Sequence, residues 1–283
     1  MRPISSVQRI AGRHHPLVKR IRGMVRSGDL LDLSNTGNEV LLETPNLIED
    51  AIQNGVTINV VLLRGDAPPS VRALRHRIPP GAKQYDVEPK LFPELTSTEN
   101  NPGIVALAKA PIWKEQDLFA GRPPLVVVLA GIQDPGNLGT ILRAAEAFGV
   151  TGVLTTKGTV SPYNAKAIRA ASGTLFHLPV ITNLPAQRII SLLRRENVTL
   201  LVSAARGGKS LAEFDVSKPL ALALGSEGSG LPRELGEAGL RVSIPMAPPV
   251  ESLNVATAAS VMLYEIARRR QPASASESAK ERN

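Results

Sequence analysis

The chain has 283 residues, with 33 lysines and arginines against 25 acidic residues, so its formal net charge is +8. This length predicts two domains, and a hydrophobic content of 43% predicts that both fold. The chain has no cysteine, which excludes disulfides, thiolate catalysis and iron–sulfur clusters. Its 4 histidines lack metal-ligand spacing, so we expect no metal. The longest apolar strand, Leu125–Ala130, is far shorter than the ~20 residues that cross a bilayer, so we expect no membrane segment and a cytoplasmic location.

The positive charge is concentrated in residues 1–30, which contain seven lysines and arginines and one acidic residue. Apolar residues between positions 17 and 25 recur at helical spacing, which predicts an amphipathic helix with its cations exposed. Clustered cations attract phosphate backbones, so Arg20, Arg22 and Arg26 are candidates for nucleic-acid binding. A solvated helix face explains the same pattern. An acidic membrane surface is a weaker alternative, because the apolar face is short.

Residues 31–112 alternate between strands and helices. We predict strands at 39–42, 58–63, 84–87 and 104–108, and helices at 45–53, 70–77 and 89–95. This alternation is typical of a small α/β domain. Residues 113–124 contain the pair Pro123-Pro124, and we predict that they form the linker to a second domain.

Residues 125–271 predict that second domain. Its strands are expected at 125–130, 152–155, 176–181, 199–203, 220–224 and 240–244, and its helices at 138–148, 164–171, 185–196 and 253–269. The continuous apolar character of the first strand is typical of a buried parallel strand. The sequence therefore indicates an α/β fold with a mostly parallel sheet. Residues 272–283 are rich in serine, alanine and charge, and we expect them to be disordered.

Ligands bind at the carboxyl ends of parallel strands, and three loops of the second domain lie there. These loops are residues 134–143, 224–231 and 244–254. The first places Asn137 and Arg143 near a helix start, and the third does the same for Ser252 and Asn254. The second is rich in glycine and contains Glu227. Taken singly, each has a plain structural interpretation as a helix cap, a turn or an exposed charge. Three such loops in one domain favour a binding site.

Residues 207–210, Gly-Gly-Lys-Ser, look like the end of a phosphate-binding P-loop. The Walker A pattern requires a glycine five positions before Gly208, and Ser203 stands there instead. A phosphate-binding turn stays open as an interpretation, whereas a nucleoside triphosphatase is disfavoured.

Together, the three loops resemble the motifs of the SpoU (TrmH-type) RNA ribose 2′-O-methyltransferases of the SPOUT superfamily. The matching segments are residues 137–143, 222–231 and 243–256. The resemblance covers nearly all of the second domain, including residues 161–169 and 176–179. The first domain resembles the L30-like substrate-binding domain of the family. Thr44 and Pro248 stand where the family commonly has glycine.

The resemblance implies a homodimer, a C-terminal trefoil knot and S-adenosylmethionine as the cofactor. The implied catalytic residues are Arg143, Asn137, Glu227, Ser252 and Asn254. The residues implied to bind the cofactor are Leu224, Gly225, Gly230, Ile244, Met246 and Leu253. Lys166 and Arg169 join the three arginines of the basic helix as the candidates for RNA binding.

The expected function is transfer of a methyl group from S-adenosylmethionine to a ribose 2′-hydroxyl of RNA. We favour 23S rRNA as the substrate, because the L30-like domain of the family usually accompanies rRNA enzymes, and tRNA is the alternative. A catalytically silent RNA-binding protein on the same fold is a further alternative. The presence of Arg143, Asn137, Glu227 and Asn254 argues against it. Nucleotide binding through residues 207–210 is a third hypothesis, which ATP binding would test.

Overall fold

The computed structural model describes residues 7–33, 38–120 and 123–271. The strands are β1 (Gln8–Ile10), β2 (Leu31–Asp32), β3 (Glu39–Leu42), β4 (Ile58–Arg64), β5 (Lys83–Val87), β6 (Ile104–Lys109), β7 (Leu125–Ala130), β8 (Gly152–Thr156), β9 (Val180–Leu184), β10 (Thr199–Ser203), β11 (Lys209–Ser210), β12 (Leu220–Gly225) and β13 (Leu240–Ser243). The α-helices are α1 (Pro16–Ser27), α2 (Pro45–Gln53), α3 (Pro69–Ala73), α4 (Pro135–Ala147), α5 (Ala165–Ala171), α6 (Ala186–Arg195), α7 (Arg233–Ala238) and α8 (Val255–Arg270). The tail expected to be disordered, 272–283, and the first six residues of the basic segment lie outside the described residues.

The chain forms two compact units. The first comprises Met1–Ile112 and Ser161–His177, and the second comprises Trp113–Val160 and Leu178–Asn283. Residues 161–177, which the sequence assigns to the second domain, thus group with the first unit. Backbone hydrogen bonds account for this, since Leu30 N donates to Tyr163 O over 2.9 Å and Ala165 N donates to Gly28 O over 3.0 Å.

The first unit contains a six-stranded sheet in the order β1-β5-β4-β6-β3-β2. The pairs β1–β5 and β4–β5 are parallel, and the other three pairs are antiparallel. The sequence did not predict β1 and β2, which have only three and two residues and no readable alternation. The helix predicted at 89–95 is a 3-10 helix with Pro93 inside it, because proline cannot donate a backbone hydrogen bond.

Helix α1 begins at Pro16, whose fixed φ suits a first helical position, and Gly28 ends it in the left-handed region at φ 72°. Its buried face consists of Val18, Ile21 and Met24. The predicted amphipathic helix is therefore present. Val18 joins the apolar face, while Leu17 at the helix start stays half-buried.

The second unit contains a seven-stranded sheet in the order β11-β13-β10-β12-β7-β8-β9. Every pairing in it is parallel, so the prediction of an α/β fold with a parallel sheet is confirmed. The central strands β7 and β12 pair with Val127 opposite Leu222, and both residues are fully buried. Helix α8 packs against α4 and β12. Strand β9 begins at Val180 rather than at the predicted residue 176, because residues 174–176 form a 3-10 turn.

The segment predicted as the linker contributes to the core of the second unit. Residues 115–119 form a 3-10 helix, and Leu118 in it is fully buried. A Cβ atom on Gly152 would lie 2.5 Å from Leu118 Cδ2, so the glycine is what allows this helix to lie against β8. Proline and glycine mark breaks in regular structure, but they do not show whether the segment between them is exposed.

Candidate active site

A cavity of about 390 Å³ opens at the carboxyl ends of β10 and β12 in the second unit. All six residues predicted to bind the cofactor line it: Leu224, Gly225, Gly230, Ile244, Met246 and Leu253. Residues 203–205 also line it, from the end of β10, and were not among the residues predicted to bind the cofactor. The rule that ligands bind at the carboxyl ends of parallel strands was the signal that could have found them.

The loop between residues 225 and 230 folds tightly back on itself. Gly230 N donates to Ser226 O over 3.0 Å, and the hydroxyls of Ser226 and Ser229 lie 2.7 Å apart. A Cβ atom on Gly225 would lie 2.2 Å from the carbonyl carbon of Gly230, which no side chain can accommodate. The glycine therefore lets the loop close beside the cavity and present its backbone groups there.

Three of the five predicted catalytic residues form one hydrogen-bonded cluster. Glu227 Oε1 accepts from Asn254 Nδ2 over 2.7 Å and from Asn137 Nδ2 over 3.3 Å. Asn254 Nδ2 also donates to Asn137 Oδ1 over 3.1 Å. The backbone N–H of Val255 supplies a third donor to the same carboxylate oxygen, over 3.3 Å. Residues from three separate loops thus meet at one carboxylate.

Helix capping and this cluster use different groups of the same residues. Asn254 Oδ1 caps α8 by accepting from the N–H groups of Ala256 and Thr257, which leaves its amide nitrogen for Glu227. At the start of α4 the cap is Asp134, which accepts from Asn137 N over 2.8 Å. The side chain of Asn137 is therefore available to the cluster. Asn254 therefore also acts as a helix cap, whereas Asn137 does not.

Arg143 does not join this cluster. It lies six residues beyond Asn137 on α4, about 9 Å along the helix axis, while Ile141 and Leu142 are buried as predicted. Its side chain is exposed and makes no ion pair or hydrogen bond within the described part of the chain. Arg143 lines neither the 390 Å³ cavity nor the neighbouring one of about 260 Å³ that Asn137 and Glu227 line. Ser252, by contrast, lines the larger of the two.

The α1 arginines Arg20 and Arg22, which were predicted to bind RNA, form ion pairs within the first unit. Arg20 bonds to Asp32 and pairs with Glu39 over 2.5 Å. Burial lowers the pKa of Arg20, but hydrogen bonds and charges from these two carboxylates outweigh it and raise the pKa overall. Arg22 pairs with Glu94 over 3.1 Å. The expectation that all the cations of α1 are exposed is therefore wrong for these two residues, whereas Arg26 is exposed.

Arg169 of α5 lies against a buried carboxylate of the first unit. Its Nη1 atom donates to Ser97 Oγ over 2.8 Å and lies 3.4 Å from Oε2 of Glu43, which is 1% exposed. Glu43 also accepts from the backbone N–H and the hydroxyl of Ser97, each over 2.5 Å. Arg169 is thus committed to an internal network, whereas Lys166 is exposed.

Residues 207–210 do not form a P-loop. Lys209 and Ser210 are the short strand β11, and Ser210 caps a three-residue 3-10 helix by accepting from Ala212 N over 3.3 Å. A P-loop would lead into an α-helix whose N–H groups face the phosphates. The described residues therefore give no support to nucleotide binding through this motif.

Residues 124–264 match the model of the SpoU rRNA Methylase family. The chain is 32% identical to the 23S rRNA (guanosine(2553)-2′-O)-methyltransferase RlmP of Bacillus subtilis, over 81% of this chain and 88% of that protein. It is 34% identical to the 23S rRNA (guanosine-2′-O-)-methyltransferase RlmB of Ralstonia nicotianae, over 67% of this chain and 78% of that one.

The crystal structure of an AdoMet-bound rRNA methyltransferase from Sinorhizobium meliloti has the same fold. The TM-score is 0.80 at 28% sequence identity, over 94% of this chain and 99% of that one. The parallel α/β fold and the cavity beside the three loops define an RNA methyltransferase of the SPOUT class. The chain belongs to the SpoU rRNA methylase family.

Proposed function

We propose that this protein transfers the methyl group of S-adenosylmethionine to a ribose 2′-hydroxyl of 23S rRNA. The observation that carries the proposal is the cluster of Glu227, Asn137 and Asn254, in which Glu227 lines both the 390 Å³ cavity and the cavity beside it. A donor in the first cavity and a ribose in the second would meet at this carboxylate. The relatives RlmP and RlmB are both named as 23S rRNA methyltransferases, which favours 23S rRNA over tRNA as the substrate.

The cavity fits the cofactor in size and in chemistry. Its volume of about 390 Å³ lies in the range of roughly 300–1,000 Å³ that is usual for small-molecule sites. Apolar side chains such as Ile244, Met246 and Leu253 would hold the adenine, while the turn at Gly225 offers backbone groups to its polar edge. When bound, S-adenosylmethionine supplies an electrophilic methyl group on a positively charged sulfur, which leaves as a neutral thioether.

The chemical task of the protein is to orient a weakly acidic hydroxyl and to accept its proton. Three N–H donors hold Glu227 Oε1, whereas Oε2 makes no hydrogen bond within the described part of the chain. We assign Oε2 as the acceptor of the 2′-hydroxyl hydrogen bond. As the new carbon–oxygen bond forms and the carbon–sulfur bond breaks, the proton passes to this oxygen and then to water. Asn137 and Asn254 fix the carboxylate, which keeps the reacting atoms aligned.

Arg143 requires a second copy of the chain to act at this site. A guanidinium is a poor base, but its planar fork suits a phosphate. Arg143 lines neither cavity of its own chain, so in a homodimer it would serve the partner's site. The exposed face of α8 supports such a homodimer, because Val261 and Tyr264 are 43% and 54% exposed and lie on one face. Arg143 would bind the phosphate beside the target ribose.

Further parts of the proposal follow the family resemblance. We propose that the path of the chain through β12, β13 and α8 forms a trefoil knot and that the first unit is an L30-like RNA-binding domain. Its mixed six-stranded sheet and the exposed cations Arg26 and Lys166 are compatible with that role. None of the described helices combines the length and apolar character needed to cross a membrane. We retain the cytoplasm as the proposed location.

The test is transfer of labelled methyl groups from S-adenosylmethionine to 23S rRNA, 16S rRNA and bulk tRNA. We expect label in 23S rRNA and a loss of at least two orders of magnitude in Arg143→Ala, comparable to removing a transition-state contact worth about 3 kcal/mol. Label in tRNA alone would overturn the proposed substrate. Binding of S-adenosylmethionine without transfer to RNA in any form, including ribosomal particles, would overturn the proposed activity.

A further inference from the structure

A second and larger groove adjoins the cofactor cavity within the second unit. Its volume is about 800 Å³, roughly twice that of the cavity. The two share a wall that consists of residues 203–205, Gly230, Leu231 and Ser252. A ligand in the groove would therefore lie directly beside a bound cofactor.

Three arginines from three different elements line this groove. Arg206 follows β10, Arg233 begins α7, and Arg241 lies on β13. Two acids also line it: Glu251 pairs with Arg206 over 2.9 Å, and Glu237 pairs with Arg233 over 2.6 Å. Arg241 donates to the carbonyl of Arg206 over 3.5 Å and has no acidic partner within the described part of the chain. The groove thus carries a net positive charge.

The two ion pairs leave their arginines available to an outside anion. The side chains of Arg206 and Glu251 are 72% and 77% exposed, and those of Arg233 and Glu237 are 87% and 63% exposed. Ion pairs as exposed as these contribute little to stability and weaken with salt. A guanidinium forms a stronger bidentate contact with a phosphate, so an RNA strand can displace either carboxylate.

We propose that this groove binds the phosphodiester backbone of the RNA substrate beside the bound cofactor. The inference rests on the proposed RNA methyltransferase function. Phe, Tyr and Trp are absent from the residues that line the groove, so it offers no platform for base stacking and favours the backbone. The cofactor is already accommodated by the smaller cavity, which leaves the groove to a second ligand.

The experiment measures equilibrium binding of 23S rRNA fragments and of tRNA over a range of salt concentrations, without methyl transfer. The variants are Arg241→Gln and the double variant Arg206→Gln/Arg241→Gln. Lys209→Gln is the matched control, because Lys209 is an exposed cation on β11, beside β13, and does not line the groove. Affinity for S-adenosylmethionine is measured for every variant.

We expect each lost phosphate contact to weaken binding of both RNAs to a similar extent and to reduce the salt slope by about 1. The double variant should bind RNA roughly tenfold more weakly and keep its affinity for S-adenosylmethionine. The control Lys209→Gln should keep the wild-type RNA affinity and salt slope. Unchanged RNA affinity and slope would overturn the proposal. Loss of cofactor affinity alone would also overturn it, because the groove would then hold the cofactor's carboxylate. If the variants weaken RNA binding but the wild-type protein transfers no methyl group in the test of the proposed function, the RNA-binding role of the groove stands and the proposed activity is overturned.

Discussion

Glu227 in the second unit and Glu43 in the first each accept hydrogen bonds from several donors. Oε1 of Glu227 accepts from two asparagine side chains and one backbone N–H, and the residue is exposed. Glu43 accepts from Ser97 and Arg169 and is 1% exposed. A glutamate side chain therefore lies at the centre of each cluster, but one glutamate is exposed to water and the other is buried.

This difference in burial separates a site that holds the fold from a site that can act on a substrate. A buried carboxylate without its partners is costly, so the network of Glu43 contributes to the stability of the first unit. Removing a partner of an exposed carboxylate changes the stability of the protein little. The unbonded oxygen of such a carboxylate is available to a ligand. Hydrogen-bond density alone does not identify an active site.

The largest expected effect is on turnover in Glu227→Gln. The amide keeps the shape of the side chain but removes the charge that we propose accepts the proton, so kcat should fall by about 10²–10⁴-fold. The unfolding free energy should change by less than about 1 kcal/mol, since the residue is exposed. Methyl-transfer kinetics and urea denaturation measure the two quantities. The control is Glu234→Gln, at an exposed residue of α7. Equal losses of kcat in the two variants would contradict the proposed role of Glu227.

Glu43→Gln should show the opposite pattern. The amide cannot serve the donors of Ser97 and Arg169 as the carboxylate does, so we expect the unfolding free energy to fall by about 3 kcal/mol. Denaturant titration of the whole chain measures it, and the exposed Glu99→Gln provides the baseline. A loss below about 0.5 kcal/mol would show that this network does not stabilise the unit.

The smallest of the three effects concerns the loop that carries Glu227. In Gly225→Ala the added methyl group meets the backbone of Gly230, so the loop must open and S-adenosylmethionine should bind at least about tenfold more weakly. A Cβ atom on Gly228 in the same loop meets no atom within 4 Å, so Gly228→Ala should change the affinity by only about twofold. Isothermal titration of both variants checks this, and equal losses would contradict the role of the turn.

The sequence predicted the parallel strands and the residues that meet at Glu227, because long apolar runs and motif spacing are local signals. It could not show that Leu118 is buried, since a short 3-10 helix has no periodicity to read. It also could not show that Arg20 and Arg169 pair with carboxylates. Glu39 and Glu43 are distant from them in the chain, and only tertiary packing brings them together. The network of Glu43 was missed for the same reason.

Arg143 marks the other limit of sequence analysis. The motif places it with Asn137, but the helix directs it to an exposed face, away from the residues that line the two cavities. Within a single chain, Arg143 is therefore the predicted catalytic residue that joins neither the cluster at Glu227 nor the two cavities. We propose that a second copy of the chain supplies it.

Alkaline hydrolysis of methyl-labelled 23S rRNA tests the central claim most directly. A methyl group on the ribose 2′-oxygen removes the nucleophile that cleaves the adjoining phosphodiester, so the account predicts that the label stays in alkali-resistant dinucleotides. Label released in mononucleotides would place the methyl group on a base and contradict the proposed chemistry at Glu227.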